Sequence, residues 1–478
     1  MDLIRLFAGW ALPALLGIAL VRRAYVRWPL PHAPHGTWIV GTGILAGAFV
    51  LTLEMRAVSW LGGSFGLLTI GVPLLVATIA LAWPELRAWR SHKASAARTL
   101  GLQERGITRI AFFALLAWMA ARAMLLLLEA MRIPLYPWDA WTQWATKAKV
   151  WFAVGHMAPF APFEAWINAG PGVYYDAAPA YPATVPLWQV WSCVAMGRWD
   201  DALMNLPWWL IFVALVLALY GFLRMQGFAP LFALVGTWLV SSMPILDAHV
   251  ALAGYADLPL ACYFGVGALA GYMALNGRSV AHAVVAIVLL AALPLIKTPG
   301  WVWLATLAPA VIVALVPRYG LRITVAGWIA GLVVVVILSR LDVRLFNYQL
   351  HMNLQLPWRG LVEAYLSFAN WHMLFWLLPA VVIVARRWLL ARDIAPLTVV
   401  LISGVMFLFL GFSLTNAWVW VEDQSTVNRA TLHLAPLLAT WLLLLMQRAL
   451  LSEQPSGSPT PVAPAAEEPL PAVARVDA

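Results

Sequence analysis

Thirteen apolar runs, each near the length of a bilayer's hydrocarbon core, constrain this chain more than any single motif in it. They lie at roughly 4–21, 37–54, 65–83, 108–130, 204–223, 229–245, 257–275, 280–296, 301–316, 323–339, 371–385, 396–413 and 430–447. Runs of roughly 15 to 23 apolar residues approach what a helix needs to cross ~30 Å of hydrocarbon. A membrane β-barrel would show short alternating segments instead. Charge content agrees: 11% of the residues are charged, against roughly 25% in soluble domains. The expected fold is an all-α polytopic membrane protein of about 13 transmembrane helices, with amphipathic interfacial helices on the outside.

The basic residues orient the chain. The net charge of +9 marks cytoplasmic loops in such a protein and implies no nucleic-acid partner. Arg87, Arg90, Lys93, Arg98 and Arg105 crowd one loop, and Arg22, Arg23 and Arg27 precede it by two runs. A further apolar run, 181–197, carries Pro182 and Pro186. If it does not span, then Arg224, Arg278, Arg318, Arg322, Arg386, Arg387 and Arg392 also fall in the cytoplasm. It is therefore read as a half-membrane or interfacial element. Loops 131–203 and 340–370 come out external, with shorter external segments at 55–64, 246–256, 297–300 and 414–429. The division is 1–107, three helices and a basic loop; 108–450, a membrane module; and 451–478, a Pro/Ala-rich tail expected to be disordered and cytoplasmic. The N-terminus reads as a retained helix because it lacks a basic n-region. Cys193 and Cys262 lie in separate apolar segments and read as buried and inert. The composition and the lack of Asn-x-Ser/Thr sequons suit a bacterial inner membrane.

The segment 134–152, "PLYPWDAWTQWATKAKVWF", opens the longer external loop. Trp141, Trp144, Ala148 and Trp151 share one helical face, and Asp139, Gln143, Thr146 and Lys149 the other. This pattern predicts a helix lying flat among the headgroups, its indoles toward lipid. An aromatic anchor whose acid caps the helix explains the same residues. Other charges fall on the same membrane face: Asp200, Asp201, Asp257 in "YADLPLA", Lys297 in "LIKTPG", and Glu422, Asp423 and Arg429 in "WVEDQSTVNRATLHLAP". The threading never used them. Carboxylates with a lysine and an arginine at one headgroup level suggest chemistry on a lipid-linked, anionic substrate, although each alone can be an interfacial charge.

These residues resemble those of the GT-C fold glycosyltransferases, polytopic enzymes that use polyprenyl-phosphate sugars. The similarity lies in the acid of "PWDAW", the proline-bearing "AYPATVPLWQVW", the acid of "YADLPLA", the lysine of "LIKTPG" and the polar start of "NRATLHLAPLL". It covers roughly 108–447, and the three preceding runs have no counterpart in the usual family layout. The resemblance implies transfer of a sugar from a polyprenyl-phosphate donor to a lipid, glycan or protein acceptor at the outer, periplasmic face. It implies Asp139 as general base, with Lys297 and Arg429 near the donor phosphate. Asp257 would orient the acceptor or a basic partner. Trp138, Trp141, Lys147, Tyr181, Tyr255 and Asp423 would line the substrate site. A divalent cation is compatible with the family, but no second acid adjoins Asp139, which weakens metal binding there. Direct displacement implies inversion at the sugar C1.

Two other readings stay open. A polysaccharide ligase or polymerase would use a lipid-linked donor and an external loop with arginine and histidine, which Arg340, Arg344, His351 and Arg359 supply. A lipid-linked sugar transporter or flippase would carry polar residues deep within spans. Arg122 is the main such residue, and is expected to pair with a neighbouring helix. No internal repeat supports the inverted-repeat kind.

Overall fold

The computed structural model describes residues 1–89, 105–341, 343–345, 348–349 and 355–453. The basic stretch 90–104, His351 and the tail 454–478 lie outside the described residues. The regular structure is helical apart from a two-residue antiparallel pairing, Arg344–Leu345 with Tyr348–Gln349.

Each apolar run forms helix, and the helices differ in length. Among the described residues, seven helices are long and apolar enough to cross a membrane: α1 (Asp2–Arg27), α2 (Gly36–Trp60), α4 (Gly106–Arg132), α8 (Leu206–Met225, entered through a short turn from Leu203), α11 (Asp257–Gly277), α16 (Gly320–Arg340) and α19 (Ala395–Leu414). An eighth is counted if α9 (Pro230–Ser241) and α10 (Pro244–Ala251), bent by 65°, form one broken span. The other five runs form shorter apolar helices, at Leu67–Trp83, Val280–Ile296, Gly300–Leu315, Leu374–Val384 and Ala435–Leu451. Seven or eight helices thus have the length of a full span, fewer than the 13 apolar runs. Proline explains much of the difference, since it has no N–H to give the preceding turn. Pro244 follows the α9–α10 bend, Pro294 separates α12 (Val280–Ala291) from the one-turn α13 (Leu293–Ile296), and Pro309 follows the break between α14 (Gly300–Ala305) and α15 (Ala308–Leu315).

The remaining helices lie between these. They include α3 (Val72–Trp89), α5 (Thr146–Val154), α6 (Phe163–Ile167), α7 (Thr184–Met196), α17 (Trp358–Val362), α18 (Leu374–Val384), α20 (Val419–Glu422), α21 (Val427–Leu432) and α22 (Ala435–Glu453). Helix α7 is the run whose spanning was in doubt. Its 13 residues reach about 20 Å, short of a hydrocarbon core. Nearly all of them are buried, so it is an internal helix rather than a lipid-facing one.

The first helices pack against the rest of the bundle. Trp10 and Trp191 donate across the α1–α7 contact, to Ser192 Oγ at 3.0 Å and Gly9 O at 3.2 Å. Trp188 of α7 donates to Ala48 O at 2.8 Å, and Tyr263 of α11 to Leu45 O at 2.6 Å. Helices α1 and α2 meet so closely that a Cβ on Gly47 would lie 1.8 Å from Pro13 O. Small residues allow such backbone approach where lipid leaves little hydrophobic drive for helix pairing. On the outside, Ile110, Phe113, Trp118 and Leu125 of α4, and Ile329, Val333 and Ile337 of α16, are exposed. An apolar surface of this kind suits a lipid bilayer.

Contacts sort the connections into two ends. At one end, Ser59 accepts from Met157 N, Arg56 donates to Thr184, Gln424 donates to Gly360 O and Gln355 N donates to Ser413 O. At the other, Gln447 donates to Gln226 O, Asn276 donates to Asp393 O and Arg448 pairs with Asp393. The first end gathers the segments read as external, and it also holds the charged group described next.

Candidate functional site

The group is built around Asp257, in the first turn of α11, where the helix dipole favours an anion. Its side chain is 1% exposed. One oxygen, Oδ1, accepts from Lys297 Nζ at 2.5 Å and from His433 Nε2 at 2.9 Å. The other, Oδ2, accepts from Arg429 Nη2 at 3.0 Å and Nε at 3.1 Å. Lys297 follows the end of α13, Arg429 lies on α21, and His433 sits in the short link to α22. Arg429 then turns Nη1 to Asp139 Oδ2 at 2.8 Å. Its guanidinium lies 4.1 Å over the Tyr255 ring, a cation–π contact. Trp208 Nε1 holds the Tyr255 carbonyl at 2.8 Å.

Local backbone geometry brings Asp139 and Asp257 together. Gly254 has φ +111°, and a Cβ there would lie 2.6 Å from both Ala140 Cβ and Leu135 Cδ1. Only glycine lets the 252–256 turn press onto the chain beside Asp139. Directly after Asp139, residues Ala140–Ala145 form a π-turn closed by Thr146 N to Trp141 O. The extra residue in that turn rotates Trp141 off the face of Trp144, Ala148 and Trp151. Trp141 is accordingly exposed while the other three are buried.

The electrostatics are balanced: two carboxylates face Lys297 and Arg429. Burial opposes charge on Arg429, but Asp257 and Asp139 outweigh it and hold its pKa above the usual range. Burial, with Arg429 beside it, lowers the Lys297 pKa although Asp257 opposes this. Burial lowers His433 to about 4 against the pull of Asp257. Its hydrogen bonds agree. Trp303 Nε1 donates to His433 Nδ1 at 3.2 Å, which leaves the ring's single proton on Nε2, facing Asp257. A second proton would have to displace the indole.

Four of the expected site residues are therefore joined: Asp139, Asp257, Lys297 and Arg429, with Tyr255 packed on them. Trp138 and Trp141 stand beside Asp139, exposed and edge-to-face at 5.0 Å. Lys147 is placed differently from expectation. It is 1% exposed, and its three donors go to Asp176 Oδ1 at 2.6 Å, Ala178 O at 2.7 Å and Gln143 O at 2.8 Å. Burial lowers its pKa, with Asp176 opposing. It is a buried tie between α5 and the external loop, with no donor left for a substrate. Tyr181 is half-buried against Trp144, ring centroids 5.1 Å apart, and belongs to that tie. Asp423 is exposed and accepts from Ser425 N at 2.9 Å; it closes its own turn and makes no contact with the charged group. The indole face also differs from expectation: Trp144 and Trp151 are buried, and Trp151 donates to Ala158 O at 2.9 Å, so this face packs on protein rather than lipid.

Sequence reasoning missed His433, Trp303 and Asp176. His433 had a signal, since it lies four residues after Arg429 and so on the same helical face. Asp176 and Trp303 had none. As for a metal, among the described residues no three His, Cys, Asp or Glu side chains form a group that could hold one. The two carboxylates here are already held by cationic side chains, a poor donor set for a divalent ion.

A second polar group lies at the break between α9 and α10. Arg122 of α4 pairs with Asp247 and donates to Ser242 O at 3.2 Å. His372 Nε2 also meets Ser242 O, at 2.6 Å. The carbonyl freed by the bend is thereby satisfied, as apolar surroundings demand. No protein-family model matches this chain, and neither a curated protein nor a solved structure was found to match it.

Proposed function

We propose that this protein is a membrane glycosyltransferase that takes a sugar from a polyprenyl-phosphate donor at the outer, periplasmic face of a bacterial inner membrane. The observation that carries the reading is the single group made by Asp139, Arg429, Asp257 and Lys297 at one end of an apolar helical bundle. A hydroxyl is a poor nucleophile until a base takes its proton. Asp139, the more exposed of the two carboxylates at 28% against 1%, is the base. The acceptor oxygen attacks C1 of the sugar, its proton passes to Asp139, and the C1–O bond to phosphate breaks with inversion. The polyprenyl phosphate leaves with an added negative charge, which Arg429 and Lys297 stabilise. Asp257 holds both cations in place from beneath. Trp138 and Trp141 offer ring faces to the sugar. The acceptor is a lipid, a glycan or a protein.

The test is release of polyprenyl phosphate by purified protein from a panel of polyprenyl-phosphate sugars, offered with membrane extract as acceptor source. Release from one donor supports the reading. No release from any donor overturns it, and diphosphate-linked donors would then test a ligase or polymerase.

One observation favours a second reading, a transporter or flippase for a lipid-linked sugar. The α9–α10 break places Arg122, Asp247 and His372 beside unwound backbone, and broken helices of this kind bear the substrate sites of many transporters. Movement of a labelled lipid-linked sugar across a proteoliposome, without release of polyprenyl phosphate, would favour it.

A further inference from the structure

We infer that Asp139 is a built-in competitor for the anion position on Arg429, displaced when a phosphate oxyanion arrives. This rests on the donor-phosphate reading above and adds how donor binding releases the carboxylate.

The two carboxylates on Arg429 are not equivalent. Asp257 is 1% exposed and takes both Nε and Nη2. Asp139 is 28% exposed and takes only Nη1. Tyr255 covers one face of the guanidinium at 4.1 Å. Loss of Asp139 would therefore leave Arg429 held from beneath by Asp257 and from one side by Tyr255. An oxyanion entering from the open side meets Nη1 first, and Asp139 is what stands there. The ammonium of Lys297, 17% exposed, lies on the other oxygen of Asp257. Among the described residues only one of its three donors has a protein partner, so it can share the same anion.

The consequence is ordered. Arg429 Nη1 engages Asp139 Oδ2 at 2.8 Å, so this carboxylate is occupied until another anion takes its place. Phosphate on Arg429 Nη1 frees that carboxylate beside the bound donor, so it becomes available to an acceptor hydroxyl only when a donor is present. Gln143 Nε2, 3.5 Å from Asp139 Oδ1, is placed to receive the freed side chain. Activation of water by an empty enzyme is thereby disfavoured.

The test is a binding cycle on full-length protein in detergent micelles, with inorganic phosphate and a polyprenyl monophosphate as separate probes. Asp139→Asn should bind the anion tighter than wild type, by about threefold or more, the scale of a partly exposed charge contact. The same substitution in an Arg429→Gln or Arg429→Lys background should give little or no tightening. Tightening with both probes assigns the site to the phosphate itself; tightening with the polyprenyl probe alone assigns it to a lipid headgroup. Unchanged or weaker binding by Asp139→Asn overturns the inference. So does equal tightening in both Arg429 backgrounds, which would be a long-range charge effect, and so does a lack of binding by every form. Thermal unfolding of each variant, with Glu164→Gln as a remote charge control expected to bind like wild type, separates these results from misfolding. If Asp139→Asn tightens binding while wild type turns over no donor, the competitor stands and the transferase reading fails. Turnover with unchanged affinity gives the reverse.

Discussion

Asp139 and Asp257 are the same residue type, meet the same arginine and are expected to behave differently when neutralised. Asp257 is buried beneath two cations and a histidine. Asp257→Asn removes the counter-charge for Lys297 and Arg429, and breaking a buried pair on one side costs roughly 3–5 kcal/mol. A large fall in the unfolding midpoint of the detergent-solubilised protein is the expected result. Asp139→Asn, at the open edge, should leave that midpoint within a few degrees. His433 gives the pH dependence. Its pKa in the folded protein is about 4, below the ordinary value near 6.5, so the unfolded chain binds the proton more tightly. Its contribution to stability is present above about pH 6.5 and is lost as pH falls towards 4. Unfolding midpoints measured from pH 7.5 to 4.5 should drop, and His433→Gln should flatten that drop.

At the scale of elements, the π-turn at 140–145 and the Gly254 turn set the distance between the acids. Gly254→Ala puts a methyl 2.6 Å from Ala140 Cβ at a backbone angle that costs an L-residue of order 1–2 kcal/mol. It should cut turnover severalfold or more while the protein still purifies folded; full activity in that variant would contradict the role given to the turn. Neither turn was legible in the sequence. Helical periodicity assigned Trp141 to the face of Trp144 and Trp151, because a π-turn leaves no mark on the spacing of apolar residues. That periodicity also cannot tell a face that packs on lipid from one that packs on α7. The breaks within apolar runs were hidden for a related reason. Hydropathy adds residues along a run and does not register where a run breaks, as at Ser242 or Thr306. By contrast, the meeting of Asp139, Asp257, Lys297 and Arg429 at one end was legible. The ends of successive apolar runs alternate between two sides, so parity alone places charges together. Parity is coarse, however: it put Asp423 on the same side, and the side chain of Asp423 closes its own turn instead.

For the whole molecule, two ends with separate polar groups follow from the contacts. Asp139, Asp257, Lys297 and Arg429 lie at one, and the Asp393–Arg448 pair and Asn276 at the other. The native cysteines, Cys193 and Cys262, are both buried, so the unmodified protein should resist a membrane-impermeant maleimide. Single cysteines at Asp423 and Arg278 should then label from opposite sides of sealed vesicles. Labelling of both from one side would contradict this arrangement of the bundle. The apolar outer faces of α4 and α16 keep the protein in lipid, where a donor with a polyprenyl tail would also reside.

Whether Asp139 does chemistry or only anchors a helix is decided by one comparison. Wild type and Asp139→Asn would be given the polyprenyl-phosphate sugar that wild type turns over, and release of polyprenyl phosphate would be followed in a single turnover. A general base at Asp139 requires a loss of at least about 100-fold, the lower range for such a group, in a variant that still binds donor and unfolds at the wild-type temperature. Release by Asp139→Asn at the wild-type rate would contradict it.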